Sequence, residues 1–150
     1  MSDTRLVLAG LEVIHTSFRI RNTTIRASTQ LVLFGKTDFP KNGVYGPREQ
    51  RNGFGLIPFK ASIPLFNSPG SYPYLSGGLG FLLFSQKFPN NDGTRFNATL
   101  EAGAGYQIYL GEQVSLDIEY RFHHMSNGET GQVNPGIDSN LFTAKLNIKI

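Results

Sequence analysis

The sequence predicts an all-β fold, an antiparallel up-and-down barrel, on three observations. Apolar and polar residues alternate with a period of two along almost the whole chain. That is the period at which a pleated strand turns successive side chains to opposite faces. The alternating runs, such as 95–110, are also long, well beyond the usual strand of about 5–6 residues. Clusters of Gly, Pro, Asn and Ser separate successive runs, and no segment carries the spacing of an amphipathic helix. Strands joined in succession make a meander, and closing it into a barrel removes the exposed edges.

The elements follow in chain order. Residues 4–14 and 18–34 read as the first two strands, and His15 between them as an isolated residue near a turn without a role. Residues 35–52, rich in Gly and Pro and holding the Asn42-Gly43 turn signal, read as a polar loop. The third strand, 53–66, contains Pro58 and Pro64, which point to an edge, a bulge or a strand end. A fourth strand covers 72–86 after Ser68-Pro69-Gly70, and Asn90-Asn91-Asp92-Gly93 turns the chain again. In 95–110, Phe96, Ala98, Leu100, Ala102, Ala104, Tyr106, Ile108 and Leu110 share one face. After the turn Leu110-Gly111-Glu112, Val114, Leu116, Ile118, Tyr120 and Phe122 form the apolar face of 113–126. The last strand, 138–150, repeats the pattern with Phe142, Ala144, Leu146, Ile148 and Ile150. The count is about seven strands in a single domain over 1–150.

Composition narrows the function classes. The chain of 150 residues has 17 Gly, 12 Phe, 6 Tyr and no Cys. Without Cys there is no disulfide framework, cysteine nucleophile or thiolate metal site. The net charge of +3 is dispersed, so nothing resembles the basic, aromatic-lined groove of a nucleic-acid binder. Arg19, Arg21 and Arg26 come nearest and read as a solvated or lipid-phosphate-facing strand end. No apolar run approaches the ~18 residues of a membrane helix. The start, Met1 to Arg5, leads into a strand pattern without a signal peptide, as in a cytoplasmic protein or a processed or truncated form.

Alternation alone does not say which face points outward. A soluble lipocalin-like carrier has its apolar face inside, and a membrane barrel has it outside. Three features favour the membrane barrel. Glu101, Asp117, Glu119 and Arg121 stand in mid-strand on the polar faces, where they could form a network in a narrow interior. Tyr72, Tyr74, Tyr106, Tyr109 and Tyr120 lie toward strand ends as interfacial girdles do. Gly77, Gly78, Gly80, Gly103 and Gly105 suit a sharply curved sheet.

Chemistry concentrates in Phe122-His123-His124-Met125-Ser126-Asn127-Gly128. His124 and Ser126, two apart on a strand, share a face, so His124 can take the Ser126 hydroxyl proton as a general base. Such a pair needs a third group to orient the imidazole. The loop from Asn127 to Ile137 returns the chain at Asp138. An antiparallel pair closed there sets Asp138 opposite Ser126 and Asn140 opposite His124. His124, Ser126 and Asp138 all continue faces that are otherwise apolar. His123 has the other parity and reads as an interior residue with a structural hydrogen bond. The competing reading of the same residues is an ordinary strand end with surface roles.

The run Tyr120-Arg121-Phe122-His123-His124-Met125-Ser126-Asn127-Gly128, followed by Asn134-Pro135-Gly136-Ile137-Asp138-Ser139, resembles the C-terminal signature of the PagL-type lipid A 3-O-deacylases, also described as acyloxyacyl hydrolase-like. Pro73-Tyr74-Leu75, Gly78-Leu79-Gly80, Gly93-Thr94-Arg95-Phe96-Asn97 and Gly103-Ala104-Gly105 agree with it. The likeness is good over 53–150 and vague before. It implies an eight-stranded outer-membrane β-barrel with its active site on the outside, near the outer leaflet. The family's first strand and a signal peptide would then lie before Thr4, or a further strand within 35–52. The resemblance implies a serine esterase that removes a 3-O-linked fatty acyl chain from lipid A, with no cofactor and no metal. By position, Ser126 would be the nucleophile, His124 the base and Asp138 the acid. Asn134 would fall in the oxyanion-hole region, with Asn127 as a second candidate. The implied partners are lipid A or lipopolysaccharide as substrate and outer-membrane lipids as surroundings; a homodimer is left open. The alternatives are a non-catalytic outer-membrane barrel and a lipocalin-like lipid carrier.

The remaining motifs read as structural. Gly77-Gly78-Leu79-Gly80 precedes no helix, so sheet curvature explains it better than phosphate binding. Asn90-Asn91-Asp92-Gly93 lacks the later ligands of a calcium loop.

Overall fold

The computed structural model describes residues 5–40, 47–66, 70–88, 93–132, 134 and 136–148, without the side chains of Pro40 and Ile148. The strands are β1 (Arg5–Ile20), β2 (Thr23–Pro40), β3 (Arg48–Pro64), β4 (Tyr72–Phe88), β5 (Thr94–Tyr109), β6 (Val114–Ser126) and β7 (Ile137–Ile148). Each pairs antiparallel with the next in one sheet of order β1-β2-β3-β4-β5-β6-β7. The sheet is a curled meander, and no helix occurs among the described residues.

Sorting by parity decides which side faces out. On β5 and β6 the apolar face is exposed: Phe96, Leu100, Tyr106, Ile118, Tyr120 and Phe122 are 42–51% accessible. The polar face is buried, with Asn97, Thr99, Glu101, Gln107, Asp117, Glu119, Arg121 and His123 at 4% or less. A lipocalin-like carrier has the reverse arrangement, so that reading is overturned. An apolar exterior around a polar interior is what a lipid-facing barrel requires.

The inside has two storeys. In the lower one, Arg121 donates to Glu101 at 2.9 Å and to Glu119 at 2.7 Å. His123 Nδ1 lies 3.0 Å from Glu101 Oε1. Lys60 donates to Glu12 at 2.8 Å, and Lys145 reaches the same carboxylate at 3.3 Å, from β7 across to β1. Pairing matters because a buried charge without a partner costs several kcal/mol. In the upper storey, where β2, β4 and β6 end, Val32, Phe39, Ile57, Leu82, Phe84, Phe88, Met125 and Ile137 form an apolar cluster. Phe88 packs on Phe39 and Phe84 with ring centroids 5.2 and 4.8 Å apart. The edges of β1 and β7 bound a slot of about 550 Å³, lined by residues such as Leu8, Glu12, Asn140, Thr143 and Lys145.

Several expectations are corrected. β1 continues to Ile20, and the first hairpin closes through the two residues Arg21 and Asn22, with Arg21 at φ 53°. The tight turn lacks the Asn-Gly or Asp-Gly pair that marks such loops. His15 therefore lies within β1; its Nε2 is 2.7 Å from Thr29 Oγ1, which donates to the Pro58 carbonyl. Pro58 falls where the β3–β4 ladder shifts register between Leu56 and Phe59, as its missing N–H dictates. Residues 35–40 and 48–52 are strand rather than loop, paired as Thr37↔Arg51 and Asp38↔Gln50. Tyr72 and Tyr74 are buried in the interior, unlike the exposed Tyr106, Tyr109 and Tyr120. Arg26 also points inward, donating to Gln107 at 3.0 Å beneath both tyrosine rings. Gly105 makes the room: a Cβ there would stand 2.6 Å from the Tyr74 hydroxyl oxygen. The turn signals Asn42-Gly43, Ser68-Pro69 and Asn90-Asn91-Asp92, and the strand end at Ile150, lie outside the described residues.

Candidate active site

Four of the five candidate residues stand on β6, β7 or the start of the loop between them, and the fifth, Asn134, near that loop's end. β6 keeps strict alternation to its last residue, so His124 and Ser126 emerge on the outer face while Met125 between them is buried in the apolar cluster. The ladder pairs Met125 with Ile137, His124 with Asp138 and Phe122 with Asn140. This corrects the expected register: Asp138 faces His124, not Ser126, and Asn140 faces Phe122. Parity is unaffected, because the shift is two residues. The observed register sets two apolar residues, Met125 and Ile137, side by side in the inner cluster. It also sets Asp117 opposite Lys145, 3.7 Å apart.

His124 Nδ1 lies 2.7 Å from Asp138 Oδ1, with the two side chains 38% and 65% exposed on the outer face. With Nδ1 engaged by a carboxylate, Nε2 is the ring nitrogen left to act as a base. Ser126 ends β6, opposite Ala98 of β5 and one step beyond the last β6–β7 pair. No hydrogen bond joins its hydroxyl to His124 among the described residues.

The loop after Ser126 is tied by its own polar groups. The Asn127 carbonyl accepts from the Thr130 N–H at 3.2 Å and from its hydroxyl at 2.6 Å. Gly128 and Glu129 both have positive φ, 61° and 62°, the signature of a type I′ turn. Asn127 Oδ1 accepts from the Glu129 N–H at 3.0 Å. Asn134, exposed, accepts the Asn127 N–H on its Oδ1 at 3.0 Å. The Asn127 N–H, carbonyl and Oδ1 are thus all committed within the loop. The Asn134 amide, with its oxygen so fixed, has its NH₂ as the donor end. Sequence reasoning missed Gly136: a Cβ there would lie 3.0 Å from His124 Cε1. The signal was its place two residues before Asp138.

Among the described residues, no group of three or more His, Cys, Asp or Glu is arranged to hold a metal ion. No curated protein and no solved structure matches the chain. The family model described as lipid A 3-O-deacylase (PagL) matches residues 10–147. That match takes in every strand in whole or in large part, together with the whole β6–β7 site, and the chain belongs to the PagL family of lipid A 3-O-deacylases.

Proposed function

We propose that this chain is an outer-membrane serine esterase that cleaves the 3-O-linked acyl chain of lipid A with Ser126, His124 and Asp138. The observation that carries the reading is the 2.7 Å contact between His124 Nδ1 and Asp138 on the lipid-facing side, one residue pair from a serine on the same face. A carboxylate–imidazole pair has no packing use on a face that is mostly apolar, and exposing it to lipid is unfavourable.

The chemistry runs in two halves. Ser126 Oγ attacks the ester carbonyl carbon as His124 Nε2 takes the hydroxyl proton. Asp138 holds the ring and stabilises its charged form. The tetrahedral oxyanion accepts hydrogen bonds, for which the Asn134 NH₂ is the better supplied donor, since the Asn127 N–H already serves the loop. Collapse breaks the bond to the sugar oxygen, which leaves with the proton from His124. Water then attacks the acyl-enzyme, gives its proton to His124 and releases the fatty acid, and the proton returns to Ser126. The mechanism needs the Ser126 hydroxyl to turn to His124 when the ester is bound, as catalytic hydrogen bonds often tighten on the substrate.

The apolar outer face gives the acyl chain a surface to lie on. It also supports residence in the outer membrane, where lipid A is the surrounding lipid. In hydrocarbon the outer edges of β1 and β7 require backbone partners. Both strands descend from the site end, so a strand pairing antiparallel with both, as the family resemblance implies, would run the other way. Purified protein assayed on lipid A tests the reading: 3-hydroxy fatty acid is released by the wild type and not by Ser126→Ala or His124→Ala. Full release by either variant contradicts it.

A further inference from the structure

We propose that Gly136 is a positioning residue for the base: its missing side chain lets the backbone entering β7 lie against the Cε1–Nε2 edge of His124. The inference rests on the catalytic reading above and concerns a residue outside the triad.

A Cβ at position 136 would stand 3.0 Å from His124 Cε1 and 3.7 Å from Nε2, and among the described residues, its chain neighbours aside, nothing else lies within 4 Å of it. The first distance is shorter than an ordinary carbon–carbon contact of about 3.5–4.0 Å, so either the ring or the backbone must yield. The backbone is tethered on both sides. Ile137, next in the chain, is 2% exposed in the apolar cluster and paired with Met125. The Gly136 N–H donates to the Asn134 carbonyl at 3.0 Å, and Asn134 is bound to Asn127. The ring, 38% exposed on the outer face, is the part free to move. Turning it swings Nε2 away from Ser126 or breaks the contact of Nδ1 with Asp138. Glycine's role here is read from its contact, since a Cβ would crowd the edge of the His124 ring. Its requirement is steric, so alanine should leave the fold intact and disturb the imidazole.

The test is steady-state kinetics of Gly136→Ala in detergent, with folding checked by the mobility shift between heated and unheated samples. The expected result is a fall in kcat of about 10-fold, below the ~10²-fold of a misplacement near 1 Å because the ring need give only a few tenths of an ångström, with KM unchanged. Asp138→Asn should cost much less in the Gly136→Ala background than in the wild type, since a ring already displaced gains little from its carboxylate. Full kcat, or losses that simply multiply, overturns the proposal. If Gly136→Ala is fully active while Ser126→Ala is dead, the positioning role fails and the catalytic reading stands. If Ser126→Ala keeps its activity, the catalytic reading fails and takes the positioning role with it. Should the variant not fold, the wild type decides: a nuclear Overhauser contact between the His124 Cε1 proton and the Gly136 α-protons is expected in micelles, and its absence overturns the proposal.

Discussion

His124 carries two relations at once, 2.7 Å to Asp138 across the ladder and two residues to Ser126 along the strand. A carboxylate on Nδ1 selects the tautomer with Nε2 unprotonated. Asp138→Asn can bond the wrong tautomer, and kcat should fall by about 10²–10⁴-fold with KM little changed. Asn134→Ala should lower kcat by about 10²–10³-fold if its amide donates to the oxyanion; an unchanged kcat would exclude it. Glu129 offers a stability test. It is a non-glycine residue at φ 62° in the type I′ turn, a conformation that costs roughly 1–2 kcal/mol for an L side chain. Glu129→Gly should therefore raise the barrel's denaturant midpoint, and a lowered midpoint would show that its side chain supports the loop. At this scale the sequence revealed the residues and their face, because parity survives any shift of two. It did not reveal the partner of His124, because registers that differ by two residues place the same side chains on the same faces.

The β6–β7 hairpin shows how an element holds the site. Its outer residues His124, Ser126 and Asp138 alternate with Met125 and Ile137, which are buried in the apolar cluster. Two repeats of the pleat below Met125, Arg121 sits between Glu101 and Glu119 with all three side chains at most 2% exposed. Arg121→Leu removes the guanidinium that both buried carboxylates share, leaving Glu101 with His123 and Glu119 with Ser76 and Lys145, and breaking such a group costs about 3–5 kcal/mol. The expected outcome is a large loss of stability in urea unfolding from lipid vesicles; stability within 1 kcal/mol of the wild type, roughly the worth of an exposed pair, would contradict a sealed interior. Strands β5 and β6 were legible almost to their ends, since alternation there is strict. The first hairpin was not. Its turn residues, Arg21 and Asn22, carry no glycine, and β1 shifts register between Ile14 and Thr16, which hides the alternation near His15.

Over the whole molecule, a mean hydropathy of -0.19 coexists with an outer face of exposed Phe, Leu, Ile and Val. The average hides the sorting, and the sorting decides the environment. The tyrosines show where pattern reading stops. All five read from the sequence as an interfacial girdle toward strand ends, yet Tyr72 and Tyr74 turn inward over Arg26. Only the three-dimensional partner, an interior guanidinium beside the space left by Gly105, distinguishes them from the outward Tyr106 and Tyr120. A lipid-facing belt predicts that the folded chain stays dispersed only in detergent or lipid, and a monodisperse detergent-free solution would contradict it. The central claim joins this environment to the hairpin: an apolar outer face delivers lipid A to Ser126. Mass spectrometry of lipid A from cells expressing the wild type or Ser126→Ala tests it most directly. The account predicts loss of one 3-hydroxyacyl group with the wild type and intact lipid A with the variant. Intact lipid A in both, with each protein folded in the outer membrane, would contradict it.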